Sequence, residues 1–234
     1  MPMPSKPNLP PLLVRADANE AIGTGHVMRC LALAQGWRAR GGVVTLLSVS
    51  LKPALRERVE DAGVILREIP RPHPESDDLR TILRALHDAS ADTTQIPWVV
   101  LDGYHFDPLY QSLARSSGCR LLVIDDTGHL PRYDADVILN NALHSERLRY
   151  HTGRGALTLL GTRYTLLRSE FQRSRGSRRS IPERAKKILV SLGGSDPHNF
   201  TQTVIRALQQ LNLPDLEARV IVGPANSHVD NSNS

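Results

Sequence analysis

The chain has 234 residues, of which 40% are hydrophobic and 23% charged, and a formal net charge of +5. That length buries a real core and sits near the size at which one domain becomes two, while the composition is that of a globular protein and leaves both enzymes and binding modules open. The positive excess is concentrated in one stretch instead of being spread over a face, and with no aromatic ladder or binding motif beside it, it does not predict a nucleic-acid partner.

In chain order, residues 1–11 (MPMPSKPNLPP) carry no apolar segment or cleavage signature of a signal peptide and read as a flexible, proline-rich lead-in. From residue 12 onward, short branched runs alternate with longer helical patterns. The predicted strands are 12–16, 43–49, 64–69, 97–102, 120–126 and 136–140, and the predicted helices 26–40, 53–62, 76–89 and 108–116. This rhythm predicts a doubly wound, Rossmann-like α/β domain over 12–171, whose ligands bind beyond the carboxyl ends of the strands. Residues 172–185 form a basic, Ser/Gly-containing linker. The rhythm then restarts, with KKILVSLGG as a strand, DPHNFTQTVIRALQQL as a helix opened by Pro197 after an Asp cap, and EARVIVG as a strand. Residues 186–234 therefore read as the start of a second α/β domain. A β-α-β unit cannot cover both faces of a parallel sheet, so the expectation is a chain that is C-terminally truncated or dependent on a partner.

Cys30 and Cys119 are the two cysteines, far apart, and predict neither a disulfide framework nor a zinc site. No run of 18 apolar residues occurs. The expected home is a reducing cytoplasm, without membrane attachment.

The first chemistry-bearing stretch is IGTGHVMRC, 22–30. A dinucleotide fingerprint fails here, because Met28 stands where the third glycine is needed and no acid ends the second strand; a P-loop is also absent. Gly23 and Gly25 still allow close backbone approach of an anion at a helix N-terminus, which suits a diphosphate. His26, in the first helical turn, is the candidate general base, its imidazole kept neutral by the positive end of the helix. The alternative is a tight strand-to-helix turn with His26 as a cap. Arg15 and Asp17, at the end of the first strand, add polarity at the same mouth. LDGYHFD places Asp102, Tyr104 and His105 at the same sheet edge, where Asp102 could instead bond turn amides and Tyr104 pack half-buried. In IDDTGH the adjacent acids point to opposite sides of an extended chain, so Asp125 or Asp126 organises the turn more readily than the two share a metal ion. SLGGSDPHN repeats the opening design in the second domain and offers Gly193, Gly194, Ser195 and Asn199 as further diphosphate contacts, or forms a routine turn with an Asp cap.

The ordered segments RADANEAIGTGHVMRCLALA, LDGYHFD, IDDTGH, LLGTRYTLLRSEF and ILVSLGGSDPHN, over about residues 12 to 224, resemble the UDP-2,4-diacetamido-2,4,6-trideoxy-β-L-altropyranose hydrolases of pseudaminic acid biosynthesis. The resemblance implies a GT-B-like architecture similar to the MurG glycosyltransferases. It implies metal-independent hydrolysis of the sugar C1–O bond, with inversion and release of UDP and no cofactor. In that picture His26 activates water, Tyr104 lies near the sugar or the water, and the UDP-sugar is the partner of a monomeric complete protein. Two other readings remain: a GT-B glycosyltransferase or spore-coat polysaccharide protein in which an acceptor hydroxyl replaces water, and a non-catalytic module that binds nucleotide sugars.

Overall fold

The computed structural model of the protein describes residues 9–19, 22–91, 93–176, 180–194, 196–211, 213–223 and 226–228. The chain forms two compact units, the first made of Met1–Asp17 and His26–Arg173, the second of Ala18–Gly25 and Ser174–Ser234.

In the first unit, β1 (Leu12–Ala16), β2 (Val44–Ser48), β3 (Ile65–Glu68), β4 (Trp98–Asp102), β5 (Arg120–Ile124), β6 (Val137–Asn140) and β7 (Leu157–Leu160) form one sheet in the order β3-β2-β1-β4-β5-β6-β7. Every neighbouring pair is parallel. The crossovers are α1 (Gly25–Arg38), α2 (Pro53–Asp61), α3 (Ser76–Ser90) and α4 (Pro108–Ser116). The predicted α/β architecture is thus the observed one. The order reverses between β1 and β4, which opens a crevice at their carboxyl ends. Ala16 is in register with Asp102 there.

Because side chains alternate along a strand, each face of the sheet has its own core. Leu13, Leu47, Leu101 and Leu121 pack with Ile82 and Leu86 of α3 and Tyr110 of α4. On the opposite face, Val14, Val44 and Leu46 meet Val27, Cys30, Leu31 and Ala34 of α1. Each such aliphatic side chain contributes roughly 1.5–3 kcal/mol by leaving water. The same alternation sends Arg15 toward α3 and α4, and Asp102 toward α1. At the start of α4, Pro108 presets the first turn while the Asp107 side chain accepts from the Tyr110 amide at 2.7 Å.

Two departures from the predicted elements have local causes. Residues 157–160, which the sequence left inside an unassigned stretch, extend the sheet as its edge strand β7, with Leu157 half exposed. The short helix α5 (Ser169–Gln172) is tied to α1 where the Ser169 amide donates to Gln35 Oε1 at 2.9 Å.

In the second unit, β8 (Lys187–Ser191) and β9 (Glu217–Ile221) pair in parallel around α6 (Phe200–Gln210). The helix begins at Phe200, three residues later than Pro197 suggested. Asp196 still caps it, but across a turn: its carboxylate accepts from the amides of Phe200 at 2.9 Å and Thr201 at 2.8 Å. Asp196 (φ 39°) and Asn199 (φ 52°) take left-handed backbone conformations that Asn and Asp tolerate better than most residues. Gly223 is sterically required, since a Cβ there would overlap the carbonyl groups of Gly193 and Gly194.

Candidate functional site

The carboxyl ends of β1, β4 and β5 in the first unit gather a connected set of charged side chains on the α1 face of the sheet. At its centre is Asp102, the last residue of β4, which is fully buried. Its Oδ1 lies 2.6 Å from His26 Nδ1 and accepts from Arg29 Nη2 at 2.6 Å. Its Oδ2 accepts from Arg29 Nε at 2.5 Å and from Cys30 Sγ at 3.3 Å. His26, Arg29 and Cys30 reach one carboxylate because residues three and four apart share a helix face. Burial alone would raise the Asp102 carboxyl, but the hydrogen bonds from Arg29 and His26 outweigh it and hold the carboxyl below its ordinary range.

An ionised Asp102 only accepts, so His26 Nδ1 carries the proton of their shared contact, and the 3.2 Å approach of Arg29 Nη2 to the same nitrogen is not a hydrogen bond. In the neutral imidazole this fixes the tautomer, with the lone pair on Nε2, which has no hydrogen-bond partner among the described residues. His26 itself is buried, with 8% of its surface exposed.

Arg29 bridges two carboxylates. Its Nη1 donates to Asp126 Oδ1 at 2.6 Å and Oδ2 at 2.7 Å, while its Nε and Nη2 engage Asp102. Burial would lower the guanidinium pKa, yet the two carboxylates raise it above its ordinary value. Tyr104 closes the arrangement: its hydroxyl donates to Asp126 Oδ2 at 3.1 Å and its ring stands edge-on to His26, centroids 5.3 Å apart. Partial burial and then the Asp126 charge raise the phenol pKa, so it stays a donor. Tyr104 is 48% exposed, half-buried as the alternative reading also had it, and reaches solvent beside His26.

The two acids of IDDTGH diverge as the extended chain requires. Asp126 faces Arg29 and Tyr104. Asp125, buried, accepts from the amides of Thr127 and Gly128 at 2.8 and 2.5 Å, from Tyr133 at 2.8 Å and from Tyr150 at 3.1 Å, and so fixes the turn after β5.

Arg15 and Asp17 occupy the other face. Arg15 has no exposed surface; its guanidinium binds Asp17 at 2.6 and 2.7 Å and Asp78 at 2.7 to 3.1 Å. The sequence offered Arg15 as a substrate contact; the structure gives its Nε, Nη1 and Nη2 carboxylate partners inside the protein. Asp17, 7% exposed, also accepts from the Val49 amide at 2.9 Å and joins β1 to the end of β2. Tyr110 completes this group with a 2.5 Å bond to Asp78. His105 lies beside it, its Nε2 3.7 Å from Asp17 Oδ2; burial, then the Arg15 charge, lowers its pKa.

Gly23 and Gly25 belong to the second unit together with Gly193, Gly194 and Asn199. Gly23 has φ 69° and closes a turn in which its amide donates to the Asn19 carbonyl at 2.8 Å; Gly193 has φ 84°. Asn199 makes no side-chain cap, and its left-handed backbone accounts for an Asn there. Ser195 lies outside the described residues. Sequence reasoning missed Arg29, and the available signal was its i,i+3 spacing from His26 on a helix facing two strands that end in acids.

No protein-family profile matches the chain. The fold is that of the GT-B glycosyltransferases. Among solved structures it resembles Acinetobacter baumannii MurG (TM-score 0.54, 15% identity, 95% of this chain and 62% of that one) and a glycosyltransferase from Rickettsia africae (TM-score 0.55, 11% identity, 93% and 69%). It also resembles the glycotransferase of kitacinnamycin (TM-score 0.51, 15% identity, 94% and 67%). In sequence, the chain is 24% identical over 228 residues to the uncharacterized protein MJ1062 of Methanocaldococcus jannaschii, covering 95% of this chain and 44% of that protein. It is 23% identical over 214 residues to the spore coat polysaccharide biosynthesis protein SpsG of Bacillus subtilis, covering 91% of this chain and 59% of that protein. The chain thus spans about half the length of these curated relatives. Among the described residues, no helix is long and apolar enough to cross a membrane.

Proposed function

We propose that the protein processes nucleotide sugars, and that it does so as a hydrolase of UDP-2,4-diacetamido-2,4,6-trideoxy-β-L-altropyranose, with His26 as general base. The observation that carries this reading is the 2.6 Å contact between His26 Nδ1 and the buried Asp102, which leaves the Nε2 lone pair unengaged. A water held at Nε2 gives up its proton to the imidazole as its oxygen attacks C1 of the sugar. The C1–O bond to the diphosphate breaks, its electron pair leaves with UDP, and the anomeric configuration inverts.

The charges favour this proton movement. Asp102, Asp126 and Arg29 sum to one negative charge, and the imidazolium formed as water is deprotonated neutralises it in a partly buried setting. Asp102 fixes ring orientation and tautomer, Arg29 fixes Asp102, and Tyr104 bounds the approach to His26. Within the second unit, the glycine turns at 23–25 and 193–194 are proposed anion contacts. No metal or cofactor takes part in the proposed step.

A second reading has a specific observation behind it: the solved structures with this fold include glycosyltransferases. There an acceptor hydroxyl gives its proton to His26 in place of water. Incubation of the protein with the UDP-sugar separates the readings. Hydrolysis releases UDP and free sugar without an acceptor, unaffected by a chelator, and His26→Ala loses that release while the fold persists. Release only on addition of an acceptor favours transfer, and undiminished turnover in His26→Ala removes the histidine from the chemistry.

A further inference from the structure

Tyr104 is held from two sides. Its hydroxyl meets Asp126, and its backbone carbonyl meets His129 Nε2 at 3.1 Å. The other ring nitrogen of His129, Nδ1, lies 3.0 Å from Asp125 Oδ2, and the rings of His129 and Tyr104 stand edge to face with centroids 5.6 Å apart. A carbonyl oxygen and a carboxylate can only accept. Both contacts are therefore hydrogen bonds only when both imidazole nitrogens carry protons.

We infer that His129 is a positioning residue whose imidazolium form clamps the Tyr104 loop to the turn after β5, and that loss of its Nε2 proton releases Tyr104 from the side of His26. The inference rests on the reading of His26 as the base, since only then does the position of Tyr104 bear on turnover. The anchor is rigid: Asp125 is itself fixed by two backbone amides and two tyrosine hydroxyls, so the proton on His129 decides whether the neighbouring loop is attached. The charged and titratable groups around the clamp are Asp125 with Tyr133 and Tyr150 behind it, Tyr104 from the loop before α4, and Asp126, which reaches Arg29 of α1. Thr127 Oγ1 adds a neutral contact at 3.4 Å to Nδ1. With Nε2 deprotonated, its lone pair faces the Tyr104 carbonyl lone pairs and the contact turns from attractive to repulsive. The clamp is closed at lower pH and opens as pH rises.

Two substitutions separate the halves of the clamp. His129→Asn keeps a donor near the Nδ1 position and loses the reach to Tyr104. His129→Gln keeps a donor near Nε2 that no pH change removes. The experiment follows the backbone amides of 103–106 and the His129 ring nitrogens by NMR through a pH titration of the whole chain, wild type and both variants. In the wild type the loop resonances move with the same midpoint as the His129 ring; in His129→Gln they stay at the clamped position, and in His129→Asn at the released one. Loop resonances that ignore the His129 titration in the wild type overturn the clamp, and so does a His129→Asn loop that matches the clamped wild type. Turnover of the UDP-sugar tests the reading beneath it. His129→Asn lowers kcat about tenfold at low pH, the worth of one charge-assisted hydrogen bond, with KM little changed. A clamp seen by NMR without turnover in any form leaves the device standing and removes the catalytic reading instead.

Discussion

Replacing Asp102 by Asn tests the reasoning about His26 at its root. The side-chain amide has nearly the same shape but one acceptor and one donor group. Arg29 is always charged and donates to Asp102 through its Nε, at 2.5 Å the shortest of the carboxylate's contacts, so the oxygen of the introduced amide turns to that position. The amide NH2 then faces His26 Nδ1, which must become an acceptor, and the imidazole proton moves to Nε2. In that tautomer His26 cannot take a proton from water. Losing a correctly oriented tautomer in a carboxylate-imidazole pair costs about 10³- to 10⁴-fold in kcat. Removing one partner of a buried ion pair costs about 3–5 kcal/mol, but Arg29 keeps two short bonds to Asp126 and 18% of its side chain in solvent, so we expect about 2–3 kcal/mol here. Urea unfolding reads the second number and UDP release reads the first. A folded Asp102→Asn variant that turns over within tenfold of the wild type would refute the tautomer argument, whatever its stability.

Two further predictions concern stability. Asp78, Asp102 and Asp125 all have carboxyls held below their ordinary range, each against the opposing effect of burial, by Arg15, by Arg29 and by the Gly128 amide, respectively. A depressed folded-state pKa gives a contribution that is complete above the unfolded value, about 3.9, and is lost as pH falls through the folded value. Asp125→Asn is therefore less stable than wild type at pH 7, yet loses less on acidification below about pH 4; parallel curves of urea midpoint against pH contradict this. Gly223→Ala places a methyl group on the Gly193 and Gly194 carbonyls and weakens the second unit by about 1–3 kcal/mol, read as faster hydrogen exchange in β8 and β9 with β1 and β4 unchanged.

The first unit was legible in the sequence because its signals agreed at more than one level: branched runs and helical periods alternated and pointed to one architecture. β7 was not, because an edge strand with an exposed Leu157 lacks the full burial that marks its neighbours. The start of α6 was misjudged because Asp196 caps through a turn with two left-handed residues, a geometry that the Asp-Pro signal does not carry. At the candidate site, strand ends pointed to Asp102, Tyr104 and His105 at the sheet edge that carries His26, and of these His105 lies instead beside Asp17. What spacing could not give was pairing: that Asp102 takes Arg29 and His26 together, or that Arg15 turns away to Asp78. Those contacts depend on which face of the sheet each strand residue serves, and a one-residue change in register reverses it.

The central claim is that water, deprotonated by His26, attacks C1 of the sugar. A single turnover in ¹⁸O-labelled water, read by mass spectrometry of both products and by the anomeric proton of the sugar at first formation, tests it most directly. The account predicts ¹⁸O on the sugar, none in UDP, inverted anomeric configuration, and loss of all of this in His26→Ala. Label in the β-phosphate of UDP, or sugar released with its configuration retained, would contradict it.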